Sequence, residues 1–79
     1  MEKYIEEIKS IINEINEYEV FDEDTNLIEE EILSSLSLMY LITELEDRYD
    51  VVIVEDVITP ENFSSVRQIA MTLKQLVEQ

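Results

Sequence analysis

Isoleucine recurs at positions 5, 8, 12 and 15, a spacing of i, i+3, i+7 and i+10 that lines one face of an α-helix. Tyr4, Ile11 and Tyr18 widen that stripe. Glu6, Glu7, Ser10, Asn13 and Glu14 occupy the other face. The pattern predicts a helix over about residues 2–17 with its apolar stripe against a core. Two further stretches repeat the same period. Leu38, Ile42, Leu45 and Tyr49, with Leu41 beside them, predict a helix from near Ser34-Ser35 to Tyr49. Val66, Ile69, Ala70, Leu73 and Val77 predict a last helix, capped by Ser64 or Ser65, with Ser65 and Gln68 spaced as a capping box.

The segments between these helices are less periodic. Residues 17–31 hold eight acidic side chains and no basic one, which reads as a long loop pinned by Tyr18, Val20, Phe21, Leu27 and Ile28. Val51-Val52-Ile53-Val54 has strand composition, but no second such run exists to pair with it. A buried, extended connection is expected instead. Thr59-Pro60-Glu61-Asn62-Phe63 reads as a short helix, with Thr59 as cap and Pro60 in the first helical position. The expected fold is all-α: a small four-helix bundle in one domain, residues 1–79, of three longer helices and one short third helix.

With 79 residues, of which 46 % are hydrophobic, the chain can fill one core and not two. Twenty acidic residues against five basic ones give a net charge of −15. A field that negative repels phosphates, so nucleic acid is excluded as a partner, and basic protein surfaces or cations are favoured. Cysteine, histidine and glycine are absent. No thiolate nucleophile, Ser–His pair, structural zinc site or glycine-rich phosphate loop can therefore be built. No run approaches the roughly 18 apolar residues of a membrane span, and the N-terminus lacks signal-peptide character. A soluble, monomeric, cytoplasmic protein with no membrane partner is the expectation.

Two constellations could carry chemistry. Asp22-x-Asp24-x-Asn26 opens like a calcium loop, but Leu27 stands where the turn needs glycine and Leu33 where a bidentate glutamate belongs. Weak divalent binding by a solvated acidic loop is the more natural reading. The second is Leu33-Ser34-Ser35-Leu36, at a loop-to-helix junction. Either serine there can serve as a helix cap. A hydroxyl exposed at the positive end of a helix also suits a phosphate ester, because the dipole and the free N–H groups favour an anion. Leu36, Met39 and Tyr40 lie off the main stripe of this helix. Either the helix sits centrally in the bundle, or this row is exposed to receive a partner.

The stretch Asn26–Ile42 resembles the acyl and peptidyl carrier proteins, and Thr59–Ala70 resembles the segment joining their third and fourth helices. The likeness covers nearly the whole chain and is nearest to discrete aminoacyl or D-alanyl carriers. It implies a four-helix bundle without catalytic activity, carrying 4′-phosphopantetheine on a serine at the start of helix two. The arm's thiol would hold an acyl, aminoacyl or peptidyl group as a thioester. The family motif Asp-Ser-Leu falls on Ser34-Ser35-Leu36, which makes Ser35 the attachment residue. Ser34 stands at the aspartate position, and Glu31 at a position that is often glycine. The resemblance also makes helix two the surface read by partners: a phosphopantetheinyl transferase, an activating ligase and downstream transferases. On that helix Leu36, Met39 and Tyr40 would give apolar contacts, and Glu44, Glu46 and Asp47 charged ones. The alternative is an unmodified acidic interaction module on the same fold.

Overall fold

Three amphipathic helices meet around α1 in the computed structural model, which describes residues 1–79. The elements are α1 (Glu2–Ile15), α2 (Ser35–Tyr49), a 3₁₀ turn (Glu55–Val57) and α3 (Val66–Val77), with no strand. α1 packs against both α2 and α3. Its stripe is the middle of the core: Ile8, Ile11 and Ile12 are fully buried, with Leu41 and Leu45 from α2 and Val66, Ile69 and Leu73 from α3. Loop residues Leu27, Ile32, Leu33, Ile53 and Phe63 complete the same cluster. Seventeen apolar side chains in one cluster agree with the single core that the length allows.

Helix α1 is shorter than its pattern. It stops at Ile15, with Asn16 as C-cap at φ −143°. Tyr18 falls beyond the helix and is exposed, as is Val20, so neither pins the loop. That work is done by Leu27, which is fully buried, and by the half-buried Phe21. Backbone bonds reinforce Leu27, whose N–H donates to Ser64 O at 2.7 Å. In the middle of the loop Glu23 and Asp24 are bonded by Arg67, on the first turn of α3. The acidic loop is thus fastened to the start of α3 by one apolar anchor and one cation. Arg67 holds the Asp24 carboxyl below its usual value.

Residues 51–54 form a connection without strand pairing, but not the buried one expected: alternate side chains of an extended chain point to opposite sides, so Ile53 enters the core while Val52 and Val54 face solvent. The expected short helix at Thr59–Phe63 is a single turn. Thr59 Oγ1 accepts from Asn62 N–H at 3.1 Å, and Phe63 N–H reaches Thr59 O at 3.2 Å, but the pattern goes no further. The reason is Phe63, which turns into the core at 1 % exposure, followed by Ser65, which is already the extended cap of α3. The fold therefore has three α-helices and a 3₁₀ turn, the latter at 55–57 where no helix was anticipated. Ser65 caps α3 by accepting from Gln68 N–H at 3.2 Å, without the return bond of a full capping box.

Candidate functional site

The loop before α2 ends in a tight, helix-like turn. Asn26 Oδ1 accepts from Ile28 N–H and Glu29 N–H at 3.2 and 3.0 Å. The turn then closes as a Schellman motif: Ile32 N–H bonds Leu27 O at 2.9 Å and Glu31 N–H bonds Ile28 O at 3.1 Å. Such a motif needs a left-handed residue, and Glu31 supplies it at φ 58°. The side chains of Leu27 and Ile32 are both buried beneath the turn. Here is the physical ground for a glycine at this position: Glu31 bears a strain that glycine would not.

The turn delivers Ser34 and Ser35 to the surface, and the backbone gives them different tasks. Ser34 is the N-cap of α2, with φ −90° and ψ 176°. Its Oγ accepts from Ser37 N–H at 3.2 Å and lies 2.8 Å from Ser37 Oγ, and Ser34 N–H donates to Ser37 Oγ at 3.4 Å. This is a reciprocal capping box made by two serines. The Ser35 hydroxyl has no hydrogen-bond partner within the chain and is exposed. The N–H groups of Ser35 and Leu36 are also unpaired, since the first helical bond runs from Leu38 N–H to Ser34 O. A free hydroxyl beside two free donors at the positive end of a helix fits a phosphodiester.

Two open grooves border this point. One, of about 450 Å³, is lined by Ile28, Glu31, Leu33, Ser34, Ser35 and Leu38. The other, of about 430 Å³, lies between the end of α1 and α2 and is lined by Glu14, Ile15, Ser34, Leu36, Ser37 and Tyr40. Leu36 is 84 % exposed, Met39 53 % and Tyr40 46 %, so this row of α2 faces solvent rather than the bundle. Ile15, Glu14 and Ile28 join the region from other elements. The spacing already put Glu14 on the solvent face; Ile28, read as an anchor of the loop, is exposed, and Ile15, read as the last member of a buried stripe, is half-buried where the helix ends.

The three acids expected beside this row behave differently. Glu44 bonds Arg48 at 3.2 Å, and Glu46 Oε2 accepts from Ile53 N–H at 2.8 Å. Asp47 is exposed and unpaired. Arg48 also pairs with Glu7 and, at 3.4 Å, with Glu14. The hydrogen bond to Glu7, helped by Glu44, raises its pKa above the usual arginine value. Of the acidic side chains in this half of the molecule, several are thus spent on internal ties.

The calcium-loop opening does not assemble a metal site. Asp22 Oδ1 accepts from Asp24 N–H at 2.8 Å and from Thr25 Oγ1 at 3.1 Å. These bonds lower its pKa. Asp24 is held by Arg67 and Asn26 by its own turn, and no cluster of acidic residues has metal-holding geometry.

The sequence profile described as the phosphopantetheine attachment site matches residues 6–76, nearly the full length. The chain belongs to the phosphopantetheine attachment family. Its cofactor is accordingly 4′-phosphopantetheine, and domains of this family are carriers rather than catalysts. No curated protein and no solved structure shows significant similarity to the chain. Carrier domains of this kind work with modifying transferases and biosynthetic enzymes. No helix is long and apolar enough to cross a membrane.

Proposed function

We propose that Ser35 is the attachment residue and that the domain, residues 1–79, carries an acyl, aminoacyl or peptidyl group as a thioester. The observation that supports this reading is the division of labour between neighbouring serines. Ser34 is consumed as the cap, whereas Ser35 presents an unpaired hydroxyl among free N–H donors. A phosphodiester forms at Ser35 Oγ as that hydroxyl loses its proton and the adenosine bisphosphate half of coenzyme A departs; the transferase supplies metal and base. The arm then offers a thiol for the thioester. Ser35 and Leu36 N–H groups would hold the phosphodiester, and Leu33 and Leu38 would line the arm's first stretch. An amino acid is the favoured cargo, on the likeness to aminoacyl carriers.

The docking face for partners is the row Leu36, Met39 and Tyr40, extended by Ile15 across the groove. Asp47 is its one unpaired acid on α2 past the first turns, because Glu44 and Glu46 are engaged internally. Partner recognition is therefore mainly apolar at this face. A cytoplasmic monomer is the working state. The test is the intact mass after incubation with a promiscuous phosphopantetheinyl transferase, magnesium and coenzyme A. One phosphopantetheine adduct is expected on the wild type. A mass unchanged under conditions that fully convert a known carrier favours an unmodified interaction module instead.

A further inference from the structure

The extended segment 51–54 has two dissimilar edges. In an extended chain the N–H and C=O groups of alternate residues point to opposite sides. On one side Val51 N–H donates to Glu46 O at 3.2 Å and Ile53 N–H to Glu46 Oε2 at 2.8 Å, so the end of α2 takes up both N–H groups of that edge. On the other side Val52 N–H, Val52 C=O and Val54 N–H make no hydrogen bond within the chain. The side chains alternate as well. Ile53 is buried at 7 % exposure, whereas Val52 is 74 % and Val54 53 % exposed. The result is a short, β-branched strand edge with three open backbone groups and an apolar outer face.

Charge narrows the occupant. Asp50, Glu55 and Asp56 flank the segment, all exposed and none in an ion pair. The nearest cation in sequence, Arg48, is committed to Glu7, Glu14 and Glu44. We propose that residues 51–54 dock an extended segment of a partner protein by strand addition, one with apolar residues at alternate positions and Lys or Arg at its flanks. A second copy of the chain is a poor occupant. Antiparallel self-pairing through the open groups of Val52 and Val54, centred on residue 53, sets Asp50 against Asp56, and each copy brings a charge of −15. The edge lies at the opposite end of α2 from Ser35, about 21 Å away at 1.5 Å per residue over 15 residues. It does not depend on Ser35 being modified.

The experiment is an amide-shift titration of the isotope-labelled full chain at low salt. The probe is a synthetic peptide alternating valine and threonine between a terminal lysine and arginine. Saturable shifts are expected at residues 50–57, with the amides around Ser35 unmoved. Val54 has φ −72°, which proline accepts, so Val54→Pro removes the open N–H with the local backbone preserved. It should weaken binding at least ten-fold while the melting temperature stays within a few degrees. Val52→Lys, which keeps the N–H but adds a like charge, should weaken it as well. No shift up to millimolar peptide overturns the proposal. So do equal affinities for Val54→Pro and wild type, shifts centred on the start of α2, or self-association of the free chain through residues 51–54.

Discussion

The two ends of α2 are held in different ways. At its C-terminal end Leu45 is buried, Arg48 gathers Glu7, Glu14 and Glu44, Glu46 holds Ile53 N–H, and the Tyr49 ring lies 5.6 Å from that of Tyr4. At its N-terminal end the helix is held by Leu33 beneath it and by the Ser34–Ser37 box, while Leu36, Met39 and Tyr40 face water. One end is fastened through side chains to two other elements. The other is fixed by one buried leucine and a local capping box, which leaves Leu36, Met39, Tyr40 and the Ser35 hydroxyl without internal partners. A carrier needs both conditions on one helix: a rigid base, and a tip whose groups have no internal partner to give up on docking.

The contrast can be broken most severely at Leu45. Leu45→Ala removes a side chain at 1 % exposure and should cost about 2–5 kcal/mol, comparable to the whole stability of a domain this small. Leu36→Ala, at the other end, should stay within about 0.5 kcal/mol and instead slow transfer from partner enzymes. Urea melts of both variants, with transfer kinetics for Leu36→Ala, make the comparison. Equal stability losses would erase the distinction between the two ends.

Arg48→Met should lower stability by about 1 kcal/mol, since partly exposed ion pairs contribute little singly but three carboxylates here share one cation. The loss should shrink as salt rises, and modification of Ser35 should proceed at an unchanged rate.

Glu31→Gly acts at the other end. It relieves a left-handed glutamate but adds freedom to the unfolded chain, for a net gain of about 0.5–1 kcal/mol. Asp50, also left-handed at φ 53°, should gain less on the same change because aspartate tolerates that conformation better. Chemical denaturation of the two variants ranks them.

The smallest effect is a pH dependence at the fastened end. Tyr4 donates to Glu78 at 2.6 Å, and that bond pushes its pKa up to about 12 from 10.0. A raised pKa in the folded state means that the contribution is fully present below pH 10.0 and fades as pH rises towards 12. The stability advantage of wild type over Tyr4→Phe should therefore disappear across that window, as read by melting curves at matched ionic strength.

The helices were legible because their information is local. The Ile5–Ile8–Ile12 face, the span of α2 and the Ser65 cap follow from spacing and from cap chemistry. The single turn at 59–63 was read as a helix because Thr59-Pro60 is a sound start signal; what stops it is the pull of Phe63 into the core, a tertiary fact. The placement of Ser34 and Ser35 on a junction was visible, whereas which hydroxyl would be free was not. That depends on Ser37 answering Ser34 across one turn. Glu46 was read as available to partners because Ile53 N–H reaches it only in the folded chain, whereas the Glu44–Arg48 pair, at i and i+4 of the predicted helix, was already legible in the spacing.

The central claim is that the backbone assigns capping to Ser34 and attachment to Ser35, and a paired substitution tests it. Ser34→Ala and Ser35→Ala are each incubated with one phosphopantetheinyl transferase and coenzyme A, and intact masses are followed over time beside melting curves. Ser34→Ala should lose about 1 kcal/mol of stability with the cap and still gain the adduct. Ser35→Ala should melt like wild type and gain none. The reverse pattern, an adduct on Ser35→Ala and none on Ser34→Ala, would contradict the assignment.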